Sequence, residues 1–157
     1  MAGFAERERA RVRASFFPTF EWVDNAQPSR RNRMRVPLAR ARIGLISTSG
    51  AYAAGQARFS QGTEGDGSHR TFGLSEPVRF SHGGYDTRRA YRDPEVVLPR
   101  RTLAALADEG VLGSVSDRVF ALMGYIPDTS LLLSETAPEV AQGLIADGVD
   151  LALLVPT

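Results

Sequence analysis

The stretch Thr136–Val155, T-A-P-E-V-A-Q-G-L-I-A-D-G-V-D-L-A-L-L-V, limits the fold more than any other part of the chain. Thr136 and Glu139 have capping-box spacing, Pro138 suits a first helical turn, and Val140, Leu144 and Ile145 supply an apolar face. Gly148 offers the stop, and Val149–Val155 then reads as a buried strand. A helix feeding directly into an apolar strand needs a second strand to pair with, and Arg42–Ser47 (R-I-G-L-I-S) is the first convincing one. Together they predict βαβ units: an α/β fold with an open, mainly parallel, Rossmann-like sheet and flanking helices. The last strand stands where the sequence stops, without the following crossover that covers a parallel strand, so the sheet is expected to be truncated at its C-terminal side.

The 157 residues suit one such domain preceded by an arm. Residues 3 to 14 predict a polar, arginine-rich helix. Phe16, Phe17, Pro18, Phe20 and Trp22 follow as an aromatic cluster, either a docking segment or an arm packed on its own domain. Gln27–Pro37 is a polar connector, and the expected division is 1–40 for arm and connector and 41–157 for the α/β domain. Within the latter, residues 47 to 68, rich in Gly, Ser, Thr and Ala, sit where such sheets place ligand loops. A helix is expected from Pro99 to Asp108 and a strand over Val119–Met123.

Composition removes several chemistries. The chain has no cysteine, hence no disulfide, thiol nucleophile or zinc–thiolate site of its own. All 19 basic residues are arginine, which excludes a Schiff-base lysine and a P-loop lysine. A net charge of +1 gives no case for whole-surface binding to nucleic acid, although residues 1 to 42 carry ten arginines against Glu6, Glu8, Glu21 and Asp24. No apolar run approaches the length of a membrane span, and Met1–Ala14 lacks the core of a signal peptide, which predicts a cytoplasmic protein.

Ser81-His82-Gly83-Gly84-Tyr85-Asp86 is the densest functional cluster, with an imidazole, a phenol and a carboxylate around two glycines that permit close approach. His82 and Asp86 read as base and helper, or as a histidine tied into a turn; the spacing fits no metal site. Gly65-Asp66-Gly67-Ser68-His69-Arg70 reads either as a surface turn or as a loop whose Arg70 holds a carboxylate. Ser47-Thr48-Ser49-Gly50 has weak anion-binding potential without a phosphate-loop fingerprint. Tyr125 in Met123-Gly124-Tyr125 and Glu135 in Ser134-Glu135-Thr136 complete the candidates, both with plain packing or helix-dipole readings.

Taken in order, I-G-L-I-S-T-S-G, G-D-G-S-H-R, F-S-H-G-G-Y-D with Asp93, L-P-R-R-T-L-A-A-L-A-D-E-G-V-L-G, F-A-L-M-G-Y and S-E-T-A-P-E-V through D-L-A-L-L-V-P-T resemble the selenoprotein B subunits of the glycine, sarcosine, betaine and D-proline reductases, over residues 40 to 157. The resemblance implies reductive cleavage of a C–N bond in a small amino acid or betaine. It also implies a pyruvoyl group on a partner subunit, no cofactor in this chain, and a thioredoxin-like dithiol donor. His82, Tyr85 and Asp86 become the expected catalytic residues: His82 for proton transfer at the departing nitrogen, Asp86 to orient it. Arg70 and Glu135 become the expected substrate contacts, Arg70 for the carboxylate.

The family's nucleophile, a selenocysteine or cysteine, is expected at or just beyond Thr157. Because UGA encodes selenocysteine, a reading frame halted at that codon would leave this chain. A shortened product without chemistry, and a subunit whose catalytic half lies on another polypeptide, are the alternatives. A non-catalytic binding or assembly module of the same fold is the second functional expectation.

Overall fold

The structure, a computed structural model, describes residues 3–15, 18–22 and 32–157. It falls into two bodies, residues 1–33 and 34–157. In the first, α1 (Phe4–Ser15) is built from good helix formers and carries a Glu8–Arg11 pair at 2.8 Å. The chain then returns along it: the Trp22 indole donates to the Ala5 carbonyl at 2.9 Å and Arg13 Nε to the Phe20 carbonyl at 2.7 Å, while Glu21 pairs with Arg9 and Arg13. Phe20 and Trp22 meet edge to face. Phe16 and Phe17 of the expected aromatic cluster, and residues 23–31, which include the start of the expected connector, lie outside the described residues.

The second body is α/β. Its strands are β1 (Arg42–Ser47), β2 (Ala51–Ala53), β3 (His69–Gly73), β4 (Val78–Phe80), β5 (Ser114–Leu122) and β6 (Leu151–Val155). Its helices are α2 (Thr87–Arg92), α3 (Arg100–Asp108) and α4 (Ala137–Ala146). The main sheet has the order β3-β5-β1-β6, with β5 and β6 parallel to β1 and β3 antiparallel to β5; β2 and β4 form a separate antiparallel ribbon.

Alternation along β1 sets the two layers. Ile43 and Leu45 enter a core with Val119, Ala121, Leu98, Leu103 and Leu112, on the α3 side. Fully buried Leu45, Leu98 and Val119 each contribute about 1.5–3 kcal/mol. On the opposite face Gly44 lies under α4: a Cβ there would meet Leu144 Cδ2 at 2.5 Å, just as one on Gly143 would meet the Phe120 ring at 2.5 Å. A bulge in β5 opposite Ile43–Leu45 is held by Arg118 and Ser116, whose side chains both bond Asp147 at the end of α4.

Two expectations change. The Thr136–Glu139 capping box does not form, because the chain enters α4 through a wide π-type turn, Leu132–Thr136, and Thr136 is already helical. Its hydroxyl instead donates to the Gly67 carbonyl at 2.7 Å, tying α4 to the loop before β3. The strand expected to be buried is the sheet's edge: Leu151, Leu153 and Leu154 are 42%, 37% and 66% exposed, since no described element covers β6 beyond β1.

Gly50 and Gly55 both have left-handed backbones, with φ of 66° and 82°. A side chain at Gly55 meets open space, whereas one at Gly50 would stand 2.2 Å from the Ser81 carbonyl. Gly55→Ala is therefore expected to cost about 1–2 kcal/mol, and Gly50→Ala about 2–5 kcal/mol, by denaturant unfolding. Equal losses would contradict this packing of β1's exit against Ser81.

Candidate functional site

Ser81 fixes the loop that leaves β4. Its N–H donates to the Gly50 carbonyl at 2.9 Å; its hydroxyl donates to the Phe59 carbonyl at 2.9 Å and accepts from Gln61 Nε2 at 3.0 Å. The next side chain, His82, is thereby buried between two glycines. The Gly84 N–H donates to Nδ1 at 2.9 Å, and the Gly124 N–H, arriving from the end of β5, points at Nε2 from 3.3 Å. A Cβ on either glycine would stand 2.9 Å from the ring, so both positions must lack a side chain. Tyr85 leans over the imidazole with ring centroids 4.7 Å apart, and its hydroxyl donates to the Ser49 carbonyl at 3.0 Å.

Burial holds His82 below its ordinary pKa. The two N–H groups act in the same direction, because an imidazolium would turn a proton toward each of them. A neutral ring has one lone pair and can accept from only one. The shorter Gly84 contact assigns that pair to Nδ1 and the proton to Nε2. Burial, with a smaller contribution from Tyr91, pushes the Tyr85 phenol up to about 12, so it stays protonated.

The carboxyl ends of three parallel strands meet here. The Thr48 N–H donates to the Val155 carbonyl at 3.1 Å, and the Thr157 N–H donates to Thr48 Oγ1 at 2.9 Å. The carbonyl oxygens of Thr157 and Thr48 lie 3.2 and 3.4 Å from the point a Cβ on Gly124 would occupy, which is also 2.9 Å from His82 Nε2. Beta-1 connects to β5 on one side, and β5 then crosses to β6 on the other; such a reversal of strand order is where open α/β sheets bind ligands. Gly124 also lines a cavity of about 660 Å³ beside α4, walled by residues including Ile46, Leu122, Val140, Leu144 and Leu154 and by no charged side chain. The buried Ser49 hydroxyl has no hydrogen-bond partner among the described residues.

The other candidates stand elsewhere. Asp86 caps α2, accepting from the Arg88 N–H at 3.1 Å and the Arg88 guanidinium at 2.9 and 3.0 Å; those hydrogen bonds hold its carboxyl below the usual range, and it makes no bond to His82. Arg70 donates to the carbonyls of Ala57 and His69 and to Ser68 Oγ, and stacks 4.3 Å above Phe59. It thus clamps the loop that also holds Ser81. Asp66 accepts from the N–H groups of Ser60 and Ser68. Glu135 is exposed on the turn before α4. The backbone N–H groups of Thr48, Ser49 and Gly50 are spent on Val155, Ser47 and Leu122, leaving no anion cradle there. Gly124 is the site residue that sequence reasoning missed; Thr48 belongs to the Ser47–Gly50 stretch read for weak anion binding, and Thr157 marks the expected place of the nucleophile. Gly124 sat beside the flagged Tyr125, and only its distant contact with His82 gives it a role.

Fold and site together define an α/β chain with a polar site at the carboxyl ends of its parallel strands. Residues 71–157 match the glycine/sarcosine/betaine reductase selenoprotein B family. The chain is 30% identical over 115 residues to the D-proline reductase subunit gamma of Acetoanaerobium sticklandii, covering 71% of this chain and 47% of that subunit. It is 28% identical over 141 residues to the glycine reductase complex component B subunit gamma of Peptoclostridium litorale, covering 85% of this chain and 31% of that one. The corresponding subunit of Carboxydothermus hydrogenoformans is 28% identical over 127 residues. The chain spans less than half the length of these relatives. No solved structure is significantly similar to it. The chain belongs to the selenoprotein B family of these reductases. No helix among the described residues is long and apolar enough to cross a membrane.

With His82 held neutral when folded, the unfolded chain takes up its proton first as pH falls below about 6.5, and stability is lost through that window. The stability advantage of the wild type over His82→Gln should be constant above about pH 7.5 and shrink toward pH 5. The same comparison made on an Asp86→Asn background should give the same curve. A pH-independent advantage would show that His82 is not held neutral.

Proposed function

We propose that this chain supplies the histidine side of an active site for reductive cleavage of a C–N bond in a small amino acid or betaine, as part of a cytoplasmic reductase subunit. The observation that carries the reading is the convergence of His82, Gly124 and Thr157 at the ends of β5 and β6, in a chain whose relatives are named as subunits of D-proline reductase and of the glycine reductase complex. The family's selenocysteine or cysteine follows the strand that corresponds to β6, so it would enter beside His82.

A selenol is largely ionised at neutral pH and needs no base. What it needs is a donor, and the neutral His82 Nε2–H would hydrogen-bond first to the selenolate or thiolate and then to the departing nitrogen, an uncharged donor that burial does not oppose. Tyr85 would hold the ring without titrating near neutrality. Gly124 leaves the space in which these groups meet. Arg70 would act by clamping the loop around Ser81, and Asp86 by starting α2, so the substrate carboxylate would be held by groups other than these two. The pyruvoyl group is assigned to a partner subunit, as the family resemblance implies, and no residue of this chain is asked to hold it. When bound it supplies a carbonyl that activates the substrate nitrogen. A thioredoxin-like dithiol would return two electrons to the oxidised selenium–sulfur or disulfide pair, closing the cycle.

The exposed Leu151, Leu154 and Ile145 favour a second reading, a non-catalytic assembly module whose β6 edge seats a partner. Turnover by the complete reductase complex separates the two. His82→Ala is expected to lower kcat by about 10²–10³-fold with a much smaller change in KM. Unchanged turnover in that variant, together with loss of assembly in Leu154→Asp, would replace the catalytic reading with the assembly one.

A further inference from the structure

A second cavity, of about 500 Å³, shares no residue with the one beside Gly124. It lies between the turn after β3, the turn before α3 and the first residues of α3, and it is lined by Arg92, Arg100 and Arg101 against the single carboxylate of Glu95.

The carboxylates around it are already committed. Glu95 accepts from the N–H groups of Arg101 and Thr102, at 3.0 and 2.9 Å, and from the Thr102 hydroxyl at 3.0 Å, which caps α3. Asp93 accepts from the Glu95 N–H and the Arg101 guanidinium, both at 3.2 Å. Glu76 accepts from the Gly73 N–H at 2.9 Å. Arg101 is paired with Asp93 and Glu95, but neither of the other two cations has an ion pair among the described residues. The Arg100 guanidinium donates to one neutral group, the Glu76 carbonyl at 2.7 Å, and Arg92 has no ion pair or hydrogen bond among the described residues. Burial lowers the pKa of Arg100, and the charge of Glu95 offsets only part of that. A half-desolvated guanidinium with most of its donors free, beside a second unpaired one, is costly unless an anion joins them.

We propose that this cavity binds a small doubly charged oxyanion, either phosphate or a dicarboxylate, bridged between the Arg100 and Arg92 guanidinium groups. The charge of the lining favours two negative charges over one, and each guanidinium fork matches a pair of oxygens on such a ligand. The Ser75 hydroxyl lines the same space and can add a donor.

The test is titration of the folded chain with inorganic phosphate, with malonate and with chloride at matched ionic strength, followed by calorimetry and by the unfolding midpoint. Phosphate or malonate, but not chloride, is expected to bind saturably and raise the midpoint, and whichever of the two binds identifies the ligand class. Arg92→Ala, at an exposed position in the last turn of α2, and Arg100→Lys, which keeps the charge but loses the fork, are each expected to weaken binding at least tenfold; Arg58→Ala, outside the cavity, should leave it unchanged. Absence of saturable binding by both anions, or binding that persists unaltered in Arg92→Ala and Arg100→Lys, would overturn the proposal.

Discussion

The α/β body is organised by β1, which is bonded on both edges and covered on both faces. Its edges are taken by β5 and β6, both parallel, so the chain must leave the sheet and return for each of them. Its faces alternate between a core of Ile43 and Leu45 and the side-chain-free Gly44, against which α4 presses Leu144. Any bulk at Gly44 would lift α4, and with it the Thr136–Gly67 bond and the Arg118–Asp147 pair that hold the helix down. Because β1 carries neighbours on both sides, its exit, Thr48-Ser49-Gly50, is the point at which three loops must share one volume.

That crowding explains the state of His82. Ser81 is locked by its bonds to Gly50, Phe59 and Gln61, and the following side chain has little freedom but to fill the gap between Gly84 and Gly124. The two glycine N–H groups then face the ring nitrogens, and burial adds to their effect. The outcome is an imidazole held neutral, which suits hydrogen-bond donation to a developing or resident anion better than it suits an acid that must first carry an extra proton.

Much of this was legible in the sequence, and the parts that were not share a cause. R-I-G-L-I-S, the 99–108 helix and the last helix–strand unit were readable because apolar periodicity and turn residues are local signals, and they coincide with β1, α3, α4 and β6 to within a residue or two. The short strands β2, β3 and β4, three to five residues each, were invisible because Ala-Tyr-Ala is too short to show a pattern among its small neighbours and Arg70 and Arg79 interrupt the other two. The capping box failed for the opposite reason: a correct local spacing was overridden by a π-type turn set by the contact of Thr136 with Gly67, far away in sequence. At the site, His82 and Tyr85 stood out by residue type and do come together. Asp86 and Arg70 stood out equally, yet their nearest opportunities were Arg88 and the 57–69 carbonyls. Gly124 could not be found without knowing that the chain just past β5, 42 residues on from His82 in sequence, lies beside it in space.

The account stands or falls on the neutral His82 ring at the meeting point of β1 and β5. Long-range ¹H–¹⁵N NMR of the imidazole, together with nuclear Overhauser contacts, tests both placement and state. The account predicts the neutral tautomer with its proton on Nε2 through the neutral range, and ring contacts to Gly84 and Gly124. A ring that titrates at or above about 6.5, or shows no contact with Gly124, would contradict it.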